Sequence, residues 1–403
     1  MRYLTVVRDE VEEINSIKGW ILLYGRRKVG KTFLLKNFVK WDAYITVRRD
    51  LSLRTENVEI QKMEDFTNKV GNLLEKDYVV VIDEFQRLPE HILEDLTCFY
   101  PKGRLILSGS SLGIVRKFFE PKSPLLGFFT PYKLSLIRPV NIFSTLVKSY
   151  DPVKSLELAS YMRDPWLIPL YNGEDIVSFI YRYSCKYWQT VKALIGEVFF
   201  EEERTLTRTY EAILSLLGSR VWKVKDIVGI LYAKRIIKEP SSSYVSGFIK
   251  NLMDMDLVEG IKLFKTRRKY YRLKSPIMET FYYLESKYDV SEREVSLDEV
   301  KPTLENIIRL EVEDFIADLF ACYFKGRREY SLDPEIDFII TLRNKILAVG
   351  EVKWGKYSKQ DLRKFYIKTE NLPGSKIFIT KEKEQDFYKD IQVYDAQDLI
   401  KLI

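Results

Sequence analysis

With 403 residues the chain exceeds what one hydrophobic core holds, and roughly two to four domains are expected. A hydrophobic content of 46% with 14% aromatics excludes a disordered chain, three scattered cysteines (Cys98, Cys185, Cys322) exclude a disulfide framework or zinc cluster, and a lone histidine, His91, excludes Ser-His or His-pair chemistry. The net charge is +7, and residues 223–274 alone hold thirteen Lys/Arg against five Asp/Glu, which points to a polyanionic partner, most often DNA.

No run approaches ~18 apolar residues and the N-terminus lacks a signal-peptide core, so a cytoplasmic protein without a membrane segment is expected. Residues 1–19 form an entry segment with one stretch of helical spacing around Val11 and Ile14. The apolar run Trp20–Tyr24 then predicts a buried strand, followed by Gly25-Arg26-Arg27-Lys28-Val29-Gly30-Lys31-Thr32 and a helix opening at Phe33. Strand, G-x4-G-K-T and helix in that order make a phosphate-binding loop. Gly25 and Gly30 let successive N–H groups point inward at a β/γ-phosphate, Lys31 adds a point charge, and Thr32 offers a hydroxyl to Mg²⁺. The cofactors expected are therefore ATP and Mg²⁺.

Tyr78–Ile82 is a β-branched run ending in Asp83-Glu84, as a central parallel strand would deliver carboxylates at its C-terminal end. Asp83 suits the Mg²⁺ shell opposite Thr32, and Glu84 suits the general base for the attacking water. The next strand, Arg104–Leu107, ends in Ser108-Gly109-Ser110-Ser111, where Ser110 is a candidate γ-phosphate sensor and an ordinary turn is the other reading. With strands also expected at 43–47 and 132–136, residues 1–138 read as a three-layer α/β core with a parallel sheet. Residues 139–204 are helical and aromatic-rich, like a small lid.

Across 205–280 the rhythm changes to three short helices and a hairpin. The helices are Tyr210–Gly218, Val224–Leu231 and one capped by Ser241-Ser242-Ser243, with Val245, Phe248, Ile249 and Leu252 as its buried stripe. The strands Leu257–Phe264 and Tyr270–Leu273 flank Lys265-Thr266-Arg267-Arg268-Lys269. This order reads as a winged helix-turn-helix. Ser243 and Lys250 would face a major groove, and Arg267, Arg268 and Lys269 would lie along phosphates; such modules also dock proteins.

The last segment, 281–403, carries a second acidic pattern. A helix at Ile307–Phe320 includes Glu313, the strand Glu335–Ile340 carries Asp337, and a turn at Arg343-Asn344-Lys345 leads into Ile346–Lys353 with Glu351 and Lys353 on one face. Two or three carboxylates (Asp337, Glu351, Glu313) beside Lys353 suit metal-assisted phosphodiester attack, with a scaffold lacking cleavage as the other reading. A helix over Lys359–Lys368 and a strand over Lys376–Thr380 complete the order.

Taken together, the loop Gly25–Thr32, Ile82-Asp83-Glu84-Phe85-Gln86, the three helices with their hairpin, and Glu351-Val352-Lys353-Trp354 resemble the archaeal AAA+/STAND-type P-loop ATPases. That family carries a C-terminal winged helix and a restriction-endonuclease-like, PD-(D/E)xK domain. The resemblance implies the roles given above; the expected partner is DNA through the basic 223–274 region, with a homo-oligomer as one form of assembly open to the chain. One departure stands out: where family members show Pro-Leu-Tyr-Gly-Arg, this chain has Pro124-Leu125-Leu126-Gly127-Phe128-Phe129, which implies a slow nucleotide switch.

Overall fold

A computed structural model of the chain describes residues 4–60, 62–98, 102–110, 113, 115, 118–202 and 204–403, and Ser111 lies outside them. They pack as two compact units. The first combines residues 7–136 with 194–205, and the second gathers the N-terminal residues up to Val6 with 137–193 and 206–403.

The first unit is built on alternation along its strands. In β1 (Trp20–Tyr24), Trp20 and Leu22 enter one core while Ile21 and Leu23 enter the other. In β4 (Val79–Asp83), Val80 and Ile82 do the first and Val79 and Val81 the second. A strand apolar on both faces needs a helix layer on each. Helices α1 (Glu10–Ser16) and α2 (Lys31–Phe38) supply one layer, and α3 (Phe66–Glu75) and α4 (Glu90–Thr97) the other.

With β2 (Ala43–Val47), β3 (Leu53–Glu56), β5 (Arg104–Gly109) and β6 (Phe129–Lys133), the sheet order is β3-β2-β4-β5-β1-β6. All neighbours are parallel except β3, which returns antiparallel on β2. Two details differ from the sequence reading. The short, half-exposed β3 was not anticipated, because Leu53-Arg54-Thr55-Glu56 lacks an apolar run. Strand β6 begins at Phe129 rather than residue 132, with Pro131 tolerated because β6 is an edge.

Where a separate lid over 139–204 was expected, residues 139–193 pack into the second unit. Helices α5 (Pro139–Leu146), α6 (Pro152–Met162) and α7 (Ile176–Tyr181) pack on the 27-residue helix α13 (Leu297–Tyr323), whose Ser296 caps its start. Helix α8 (Trp188–Glu201) follows, and from Leu194 onward its residues group with the first unit. Then come α9 (Arg208–Gly218), α10 (Val224–Ala233), α11 (Ser242–Asp254), the hairpin β7 (Val258–Leu263) and β8 (Lys269–Leu273), and α12 (Pro276–Tyr288).

The hairpin does not end its own small domain. Strand β7 pairs in parallel with β9 (Arg327–Leu332), and the sheet continues through β10 (Glu335–Leu342), β11 (Lys345–Lys353), β12 (Ser375–Thr380), β14 (Ile391–Tyr394) and β13 (Phe387–Tyr388). The result is one eight-stranded sheet, flanked by α14 (Lys359–Thr369), across the two parts expected at 205–280 and 281–403.

Candidate nucleotide site and acid–lysine site

The loop between β1 and α2 bends tightly for a concrete reason. A Cβ on Gly25 would sit 1.9 Å from the carbonyl oxygen of Leu134, whose own N–H donates to Tyr24 O at 2.7 Å. Gly30 adopts the left-handed region at φ 92°, as does Lys28 at φ 66°. Lys31 is buried, and its Nζ donates to the carbonyls of Gly25 (2.6 Å) and Arg26 (3.2 Å). Burial pushes its ammonium down to about 8, against the pull of Glu84, Glu201 and Asp83. An incoming phosphate would replace those carbonyls with full negative charge.

Strand β5 lies between β1 and β4, so Ser108–Ser110 emerges between the phosphate loop and the acids. There Thr32 Oγ1 donates to Asp83 Oδ2 at 2.7 Å, and Tyr44 from β2 donates to the same oxygen at 2.8 Å. A hydroxyl and a carboxylate already in contact fit a shared Mg²⁺ shell. Glu84 follows in a left-handed conformation (φ 60°, ψ 36°), an uncommon choice for a non-glycine residue that turns its carboxyl out of the strand. Gln86 Nε2 bridges Glu84 Oε2 (3.0 Å) and Ser110 Oγ (3.1 Å), while Arg87 pairs with Glu84 at 2.8 Å. Burial raises the Glu84 carboxyl against the opposing pull of Arg87.

The loop residues divide by role. Val29 has its side chain in the core, so it can serve a ligand only through its backbone. Phe33 is exposed beside Phe38. Arg26 is buried, and Arg27 gives its guanidinium to Glu201 (2.7 Å) and Glu197 (2.9 Å) on α8. A cleft of about 540 Å³, lined by Arg49, Gln86, Arg87, Phe200, Glu201 and Arg204, opens next to these groups. Phe128 and Phe129 set their rings against Trp20 at 6.0 and 5.3 Å, Phe129 buried in the core and Phe128 exposed. Sequence reasoning missed Tyr44, Gln86 and Arg87 as parts of the site; only Gln86, inside the acidic segment, left any signal.

Residues 18–134 match the family model of an AAA domain. That span runs from just before β1 through β6 and contains the phosphate loop, Asp83, Glu84 and Ser110. Among solved structures, the chain is similar to the Aeropyrum pernix ORC2 protein in its ADPNP–ADP complexes, at 14% identity over 77% of this chain and 95% of that one, with a TM-score of 0.41. It is also similar to Aeropyrum pernix ORC1 in complex with DNA (14% identity, 71% and 94% covered, TM-score 0.30). Cdc6p from Pyrobaculum aerophilum follows at 13% identity, 77% and 97% covered, TM-score 0.27. No curated protein matches. No helix among the described residues is long and apolar enough to cross a membrane.

The second unit brings the other candidates together. Pairing of Phe338 with Gly350 sets Asp337 beside Glu351, and Asp337 Oδ2 accepts from Val352 N at 2.8 Å. Burial raises Asp337 to about 6, with the Val352 N–H opposing and Glu351 adding. Burial, then Asp337, pushes Glu313 on α13 up to about 8. Glu351 has one oxygen 3.2 Å from Lys353 Nζ and the other 3.2 Å from Lys368 Nζ on α14. Lys368 was not anticipated, since nothing in the spacing of a helix 17 positions away marks it.

The metal set expected at Glu313, Asp337 and Glu351 meets a contrary observation. Among the described residues no three His, Cys, Asp or Glu side chains stand in metal-holding geometry; lysines hold both Glu351 oxygens and the Val352 N–H meets Asp337 Oδ2.

In the three-helix segment, Ser241 Oγ accepts from Tyr244 N at the start of α11, and Ser243 and Lys250 are exposed on that helix. Arg267, Arg268 and Lys269 are exposed around the hairpin turn. The basic excess of residues 223–274 is smaller at the surface than in the sequence. Lys262 pairs with Glu329 (3.2 Å), Lys274 with Asp256 (2.7 Å), and Arg272 is buried against Glu311 (3.1 Å) and Asp314.

Proposed function

We propose that this chain is a Mg²⁺-dependent ATPase whose nucleotide state controls DNA binding by a winged helix and the action of a restriction-endonuclease-like domain. The observation that carries the reading is the contact of Thr32 Oγ1 with Asp83 Oδ2, beside the phosphate loop and next to Glu84. Lys31 would leave its loop carbonyls for the β/γ-phosphates. Glu84, released from Arg87 and Gln86, would orient the attacking water and accept its proton. Bound Mg²⁺ would neutralise charge developing on the phosphates. Ser110, linked to Glu84 through Gln86, would report the γ-phosphate to the base. Ser243, Lys250, Arg267, Arg268 and Lys269 would meet the DNA.

The test compares nucleotide binding and hydrolysis in wild type, Lys31→Ala and Glu84→Gln. Lys31→Ala is expected to weaken binding by about tenfold or more, and Glu84→Gln to keep binding while hydrolysis falls by at least about a hundredfold. Hydrolysis at the wild-type rate in Glu84→Gln would remove Glu84 as the base. DNA affinity measured with a non-hydrolysable ATP analogue and with ADP reads the control, and equal affinities would remove it.

A second reading, a nucleotide-gated DNA- or protein-binding switch that cuts nothing, draws on the two lysines that hold Glu351. Nicking of supercoiled plasmid with Mg²⁺ or Mn²⁺, lost in Glu351→Ala and Lys353→Ala, separates the two.

A further inference from the structure

The register of the second unit's sheet has a consequence for how DNA is held. Leu263 at the end of β7 pairs with Tyr330, Leu332 pairs with Glu335, and Phe338 pairs with Gly350. Followed strand by strand, these pairs put the 264–268 turn, the 333–334 turn and Glu351–Lys353 at the same end of one sheet. From β7 the acid–lysine strands are two and three steps away, or roughly 10 to 15 Å at about 4.8 Å per step.

The seam between the hairpin and β9 is closed by more than the ladder. Phe264 N donates to Tyr330 O at 2.8 Å, Lys262 pairs with Glu329, and the Tyr270 and Tyr330 rings stand 5.4 Å apart. Beneath, Arg272 of β8 is held by Glu311 and Asp314 of α13, one residue from Glu313. The separation is therefore set by a continuous sheet rather than by a linker.

The charges along this end alternate. Lys265, Arg267, Arg268 and Lys269 are exposed, and none has an ion-pair partner among the described residues. At the other flank Lys353 is 41% exposed and Lys356 is exposed. Between them the exposed Asp333 and Glu335 repel phosphate. Two basic flanks around an acidic centre suit a duplex laid with its axis across the strands, its backbone touching both flanks and a groove facing the acidic turn.

We propose that the 264–269 turn and the acid–lysine edge form one face for a single DNA duplex, with the acid–lysine site at a fixed offset from the hairpin's phosphate contact. At 3.4 Å per base pair, 10 to 15 Å corresponds to about three to four base pairs. This rests on the reading that the hairpin binds DNA, and it adds a distance that the reading alone does not contain.

The experiment uses the full chain with Cys98→Ser and Arg267→Cys, both at exposed positions, and a duplex longer than one helical turn bearing a thiol-tethered base at its centre. Disulfide formation at residue 267 fixes the register, and a photoreactive benzoylphenylalanine in place of Lys356 then marks where the second flank lies. Cross-links about three to four base pairs from the tether, on duplexes of unrelated sequence, are expected. Tethering with cross-links absent, or scattered over a full helical turn, would overturn the single face and leave DNA binding by the hairpin intact. No tether above a control lacking Arg267→Cys would overturn both.

Discussion

A methyl group at residue 25 has no room. The Leu134 carbonyl lies 1.9 Å from where it would sit, and that backbone is fixed by its bond to Tyr24. Gly25→Ala is therefore expected to push the loop off β6, costing about 1–3 kcal/mol in urea unfolding together with a loss of nucleotide affinity. Gly229, inside α10, meets nothing within 4 Å, so Gly229→Ala should gain about 0.5–1 kcal/mol and leave affinity unchanged. Equal effects at the two positions would discard the steric account. The placement of residues 25–32, Asp83 and Glu84 at strand ends was legible in sequence because the adjacent residues form those strands. Tyr44 and Lys368 were not, because they reach their partners across 39 and 17 positions through folding alone.

Between elements, the arginines of the hairpin divide into two kinds. Arg272 is buried among Glu259, Glu279, Glu311 and Asp314, whereas Arg267 and Arg268 are exposed. Arg272→Leu should leave Glu259 without its arginine and Glu279, Glu311 and Asp314 to Arg220 and Arg328 alone, and cost about 3–5 kcal/mol in the transition of the second unit. Alanine at 267, 268 and 269 should change stability by less than about 0.5 kcal/mol each, yet lower the salt slope of DNA binding by roughly three. A triple variant with an unchanged slope would mean that the hairpin faces another partner. Most helices and strands here were legible: Val224–Ala233, Lys359–Thr369 and Ser375–Thr380 lie within two residues of expectation, since periodicity and caps are local signals. The pairing of β7 with β9 was not legible, because it joins Leu263 to Tyr330 with no signal in either stretch.

For the whole molecule, the second unit is stapled from within by charge. Arg163 just after α6, Arg220 just after α9, Arg272 of β8 and Arg328 of β9 meet Asp314 and Asp318 of α13. Burial alone would raise Asp314, but Arg272, Arg328 and Arg220 outweigh it and hold the carboxyl well below its ordinary range; Asp318 is likewise lowered, chiefly by Arg163 and Arg328. A carboxyl lowered in the folded state contributes stability above its unfolded value near 3.8 and loses it as pH falls further. The thermal midpoint of this unit should therefore drop steeply below about pH 4, and the drop should flatten in Asp314→Asn. An identical acid slope in that variant would move the effect elsewhere. The shared sheet also decides how the protein can be cut. A fragment beginning near residue 281 would bare the outer edge of β9 and strand the buried Glu329 without Lys262, an open template for pairing with a second copy. Such a fragment should aggregate on expression, while one beginning near residue 137 keeps the edge covered and should stay in solution.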